Sequence, residues 1–115
     1  MIALDTPDPG GLAEFYSALS GAPIERRDGD WWQLAEPDGG GPVLAFQLAP
    51  DHVPPTWPGG DRPQQLHLDF YAPDLDVAEE QALAIGARKH EHQPGETFRV
   101  YLDPSGHPFC ICLDR

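Results

Sequence analysis

The chain writes one order of elements twice. Its last stretch, Tyr101–Leu113 (YLDPSGHPFCICL), reads as a strand, a tight Asp-Pro-Ser-Gly turn and a second strand. Two apolar runs around Pro/Gly punctuation signal a hairpin. Trp31–Leu48 (WWQLAEPDGGGPVLAFQL) has the same grammar, with its turn at Glu36-Pro37-Asp38-Gly39. Upstream of the first hairpin lie a strand at Ile2–Leu4, Asp8, a helical stretch Leu12–Leu19 and a Gly21-Ala22 stop. Upstream of the second lie a strand at Leu66–Phe70, Asp74 and Asp76, a helical stretch Val77–Ile85 and a Gly86-Ala87 stop. Gly21 and Gly86 are 65 positions apart, and Pro37 and Pro104 are 67 apart. Strand, helix, stop and hairpin at a nearly constant offset are a duplicated unit, not a chance turn.

Each copy then needs one more strand, expected at Ala22–Arg27 in the first and, as a strand edge or a loop, at Lys89–Gln93 in the second. The unit is strand–helix–strand–strand–strand, βαβββ. Because the helix supplies the crossover, the first and last strands of a unit should lie parallel. Leu12, Phe15, Tyr16 and Leu19 recur at i, i+3, i+4 and i+7, so they form one apolar helix face. Asp8 or Thr6 should cap that helix, with Pro in its first turn. The expected architecture is α+β: two tandem βαβββ modules whose sheets curve around a cleft. Its boundaries are residues 1–48, a Pro-rich linker 49–63 and residues 64–115, all within one domain of 115 residues. Trp57, inside that linker, is expected to pack on the body.

Charge and cysteines bound the function classes. Seven Lys+Arg against 19 Asp+Glu give a net charge of −12. That argues against nucleic acid and anionic membrane surfaces as partners. No apolar run approaches the roughly 20 residues that span a bilayer. Met1 opens directly on a strand, so a cytoplasmic location is expected. The two cysteines, Cys110 and Cys112, share one strand face about 7 Å apart, too far for an easy disulfide. They read as reduced thiols.

Paired βαβββ modules, the helix LAEFYSALSGA, the opening HLDF of the second unit and the closing DPSGHPF together resemble the vicinal oxygen chelate superfamily. That superfamily includes glyoxalase I, bleomycin-resistance proteins and extradiol dioxygenases, and the glyoxalase-like branch is the nearest in pattern. The resemblance implies a small-molecule cleft, often with a divalent metal held by His and Glu from the first and last strand of each unit. Here the first-strand position of unit one is Met1 or Ile2, and its last-strand position is near Leu44. In unit two they are His67 and Cys110. One of the four expected ligands stands and one is replaced by a thiol, so a degenerate metal site is expected. If a divalent ion (Zn, Fe, Mn or Ni) is held, its ligands are His67 and Cys110. Superfamily units also pair between chains, so a homodimer is the expected assembly.

Alternation puts His67 and Asp69 on one face of their strand and Cys110 and Cys112 on one face of the neighbouring strand. The repeat register matches Trp31 with Phe98 and Gln33 with Val100, which should face the cleft, while Trp32 faces the helix. The expected ligand-binding set is His67, Asp69, Trp31, Gln33, Phe46, Phe98, Val100 and Cys110. Arg99 either holds a ligand carboxylate or pairs with nearby acids, the latter favoured by the acidic balance. His90, His92, His52 and His107 read as surface or turn residues, and Asp103 as the turn's cap. Two functions stay open: a metal-free binder of a small, partly apolar or aromatic molecule, or a metal-dependent lyase, isomerase or dioxygenase using His67. A cleft closed into core is the bland alternative.

Overall fold

The computed structural model describes residues 1–114. The chain divides into two compact units, Met1–Val53 and the part from Pro54 onward.

The first unit runs β1 (Ile2–Thr6), α1 (Pro9–Ser20), β2 (Ile24–Asp28), β3 (Trp31–Leu34) and β4 (Leu44–Leu48). Its sheet has the order β1-β4-β3-β2, with β1 parallel to β4 and the other pairings antiparallel. α1 starts earlier than apolar spacing alone suggests, because its cap lies ahead of the apolar residues. Thr6 Oγ1 accepts from the Asp8 N–H, and Asp8 in turn accepts from Gly11 N–H at 3.1 Å, with Pro in the first turn. Gly21, at φ 81°, ends the helix in the left-handed region, where a side chain would be strained. Leu12, Phe15 and Tyr16 are buried as their spacing predicts. Their helix packs over β3 and β4.

The second unit repeats the plan with β5 (Leu68–Ala72), α2 (Leu75–Ala84), β6 (Arg88–Lys89), β7 (Phe98–Leu102) and β8 (Pro108–Leu113). The sheet order is β5-β8-β7-β6, again with first and last strands parallel. Asp74 caps α2 by accepting from both Asp76 N–H and Val77 N–H. The closing turn is held by Asp103, fully buried, whose Oδ1 accepts from Ser105 N–H and His107 N–H.

Two departures from the sequence reading bear on the site. β5 begins at Leu68, not Leu66, so His67 stands just ahead of the strand. Leu68 pairs with Phe109, and Pro108 before it has no N–H to extend the ladder. β6 is two residues long, and 90–93 is not strand. There the Gln93 side chain substitutes for a strand: its Nε2 donates to Val100 O at 2.8 Å and its Oε1 accepts from Val100 N–H at 2.9 Å. An amide side chain carries the same donor and acceptor as a peptide, so β7 keeps its edge satisfied.

The helix-facing side of the second sheet is a packed and ion-paired layer. Tyr101 stacks on Phe109 with centroids 5.5 Å apart, and Phe70 meets Phe109 edge-on. Arg99 reaches Asp76 at 2.8 Å, Glu79 at 3.3 Å and the Leu75 carbonyl at 3.2 Å, tying β7 to α2. Lys89 and the Tyr101 hydroxyl also meet Glu79, at 3.0 and 3.1 Å. The Lys89 hydrogen bond, foremost among these partners, holds the Glu79 carboxyl below its ordinary range. Arg99 thus pairs with acids on the helix side. Among the described residues no helix is long and apolar enough to cross a membrane.

Candidate functional site

Pleating divides each strand of the second unit between two faces. On β7, Arg99 and Tyr101 turn to the helix while Phe98 and Val100 turn away. On β8, Phe109 and Ile111 are core and the alternate positions Pro108 and Cys110 lie on the opposite face. That helix-free face holds a cavity of about 210 Å³. Its apolar wall is Trp57, Pro94, Phe98, Val100 and Pro108, and Gln64, His67 and Cys110 bring the polar atoms. Trp57 is positioned by two imidazoles, with its ring centroid 5.2 Å from His90 and 5.3 Å from His92. Val100 is fixed by the Gln93 bridge.

The polar end is a three-residue cluster. Asp69 is the ladder partner of Cys110, and His67 lies two residues before Asp69. His67 Nε2 is 3.3 Å from Asp69 Oδ1, and both side chains are nearly half exposed. Donor atoms of His67, Asp69 and Cys110 all lie within 4.8 Å of one another. The Cys110 thiol is pushed up to about 12, first by burial and then by the Asp69 carboxylate and Cys112. Burial, and secondarily Asp69, raises Cys112 as well. Near neutral pH both are therefore thiols, and neither carries the low thiolate range of a nucleophilic cysteine.

Of the residues singled out by sequence, His67, Phe98, Val100 and Cys110 line this cavity, and Asp69 touches two of the polar atoms. Trp31 and Gln33 do share one face of the first sheet, where Trp31 Nε1 donates to Gln33 Oε1 at 3.2 Å. They are not among the cavity's walls. Phe46 corrects the sequence reading. It is fully buried and stacks on Tyr16 of α1 at 5.7 Å. Phe46 is the ladder partner of Trp32, and opposed residues share a face. Trp32 packs against Gly10 of α1, so Phe46 must face that helix too. The register also fixes the last-strand position of unit one, expected near Leu44. By register it is Ala45, the partner of Ala3, as Cys110 is the partner of Asp69. Leu44 is by the same register the counterpart of Phe109, on the helix side.

Four wall residues escaped the sequence reading as site residues: Trp57, Gln64, Pro94 and Pro108. Trp57 and Gln64 sit at a Pro-rich connection whose composition reads as linker. A tryptophan in such a segment is the only signal that it folds back on the body.

The family model of the glyoxalase-like domain matches residues 1–112. The chain belongs to the glyoxalase-like domain family. It is thereby a member of the vicinal oxygen chelate superfamily. No curated protein matches its sequence significantly. Among solved structures, this glyoxalase-like domain is similar to a glyoxalase/bleomycin resistance protein/dioxygenase family enzyme from Burkholderia phytofirmans PsJN. The TM-score is 0.74 at 18% identity, covering 97% of this chain and 94% of that one. A glyoxalase-related enzyme from Fulvimarina pelagi superposes with a TM-score of 0.68 at 21% identity, covering 98% and 85%. A glyoxalase/bleomycin resistance protein from Albidiferax ferrireducens T118 gives 0.67 at 16% identity, covering 98% and 95%. At these identities the likeness is one of fold.

Proposed function

We propose that this glyoxalase-like domain binds a small, apolar or aromatic molecule on the helix-free face of its second sheet, with His67, Asp69 and Cys110 as the polar end. The observation that supports this reading is the cavity of about 210 Å³ with Trp57, Phe98, Val100 and two prolines in its wall. Small-molecule sites are typically apolar concavities with a few convergent polar groups. An apolar cavity of about 150 Å³ holds a benzene ring, so this one suits one ring with substituents or two fused rings. The test is an NMR titration of the amide spectrum with phenol. Shifts confined to Phe98, Val100, Cys110 and their neighbours are expected. Saturating phenol that leaves those amides unmoved refutes the reading.

One observation favours a second reading, a metal-dependent enzyme. Imidazole, carboxylate and thiol within 4.8 Å form a mixed N/O/S donor set, which suits zinc or another borderline divalent ion. His67, Asp69 and Cys110 would hold the ion, which would supply Lewis-acid polarisation of a bound oxygen. The positions equivalent by register in the first unit, Ala3 and Ala45, offer no donor. Titration with Co²⁺ separates the readings. A thiolate-to-cobalt charge-transfer band that disappears in Cys110→Ser favours the enzyme, and its absence in the wild type favours the metal-free binder.

A further inference from the structure

Gln64 Oε1 is a buried carbonyl oxygen with no hydrogen-bond partner among the described residues, and its residue is part of the cavity wall. A buried acceptor left unpaired is costly, and native structures rarely keep one without a use for it. The Gln64 side chain as a whole is only half-buried, and its terminal torsion is a broad, roughly two-fold rotor. A modest turn of the amide presents the carbonyl to a molecule in the cavity. Among the other described wall side chains, the His67 imidazole is the one strong acceptor for that molecule's protons. The Asp69 carboxylate is engaged by His67 and by the Cys110 thiol. Among the described residues no Lys or Arg lines the cavity, and Arg99 is turned to α2. The wall therefore has an acceptor in need of a donor and no cation for an anion.

We propose that Gln64 is the specificity-determining residue of this cavity, and that its ligand is a neutral or cationic one- or two-ring molecule carrying an N–H or O–H donor that Gln64 Oε1 accepts. This rests on the binding reading above and adds to it the ligand's polarity. The discrimination has a physical source. A ligand without a donor leaves the carbonyl unpaired, whereas a matched one relieves it, and sites built to bond a polar hydrogen reject analogues lacking it.

The experiment uses two near-isosteric probes, indole with its N–H and benzofuran with an ether oxygen in that place. Affinities are measured by the same NMR titration on wild type, Gln64→Leu and Gln64→Met. Wild type is expected to bind indole about 10-fold more tightly than benzofuran. Both variants are expected to bring that ratio close to one while still binding benzofuran. Two variants are used so that one poorly folded protein does not decide the matter. Equal binding of the probes by wild type, or an indole preference that survives in both variants, overturns the role of Gln64 and leaves the cavity reading standing. Failure of both probes to shift the Phe98 and Cys110 amides overturns the two together.

Discussion

The two units share a plan and differ in what they put on one sheet face. In the first, the register positions run Met1, Ala3 and Ala45; in the second, His67, Asp69 and Cys110. The helix sides are far more alike. Each buries a stacked Tyr–Phe pair, though at different register positions, Tyr16 of α1 with Phe46 of β4 and Tyr101 of β7 with Phe109 of β8, and each helix is capped by an Asp. Both halves of the duplicated scaffold thus have an aromatic core under an Asp-capped helix, and one half has the chemistry-bearing side chains. The lesson is that packing and chemistry are written on separate faces, so one can be lost while the other persists.

The largest effects should come from the shared core. Phe46→Ala and Phe109→Ala each remove a fully buried ring and are expected to cost about 3–5 kcal/mol in denaturant unfolding. A cost near zero for either one would break the likeness of the two cores. The helix caps come next and should not be equal. Asp74 satisfies two N–H groups and Asp8 one. Asp74→Ala is expected to cost about 1–2 kcal/mol and Asp8→Ala about 0.5–1, read from urea midpoints at constant m.

The helix-free faces should respond least in stability and most unequally in binding. His67→Ala and Gln33→Ala are each expected to shift stability by no more than about 0.5 kcal/mol. His67→Ala should weaken phenol binding and Gln33→Ala should not. Equal effects on binding would move the site off the second unit.

A pH series isolates the second unit again, because both cysteines belong to it. Cys110 rises in the fold from 9.0 to about 12, so folding favours the neutral thiol. Its stabilising contribution is whole below about pH 9 and is lost as pH climbs toward 12. Tyr101, pushed upward by burial first and then by Glu79, acts in the same direction at still higher pH. Thermal melts between pH 8 and 11 should show an alkaline decline that Cys110→Ala makes shallower. An identical decline in wild type and variant would remove Cys110 as a contributor.

Much of this was legible in the sequence where one local rule governs the outcome. β3 at Trp31–Leu34 and β7 at Phe98–Leu102 follow from aromatic-apolar runs bounded by turn residues. Asp103 as the turn's cap follows from side-chain reach. Where a partner across the sheet decides, local rules fall short. Phe46 faces its helix because Trp32 opposite does, and His67 falls outside β5 because Pro108 cannot extend the ladder. Gln93 standing in for a strand, and Gln64 in the cavity wall, depend on distant contacts that no periodicity encodes.

The alternation along β7 and β8 has a consequence for how such a protein changes over time. Phe98, Val100 and Cys110 face the cavity, while their immediate neighbours Arg99, Tyr101, Phe109 and Ile111 hold the helix. Replacements at every second residue can therefore alter what is recognised while leaving the helix contacts in place, provided the buried positions 100 and 110 stay apolar. A combinatorial library varied freely at 98 and among small apolar residues at 100 and 110 samples new ligand preferences on an intact frame, and one shifted by a single residue mostly samples unfolded chains.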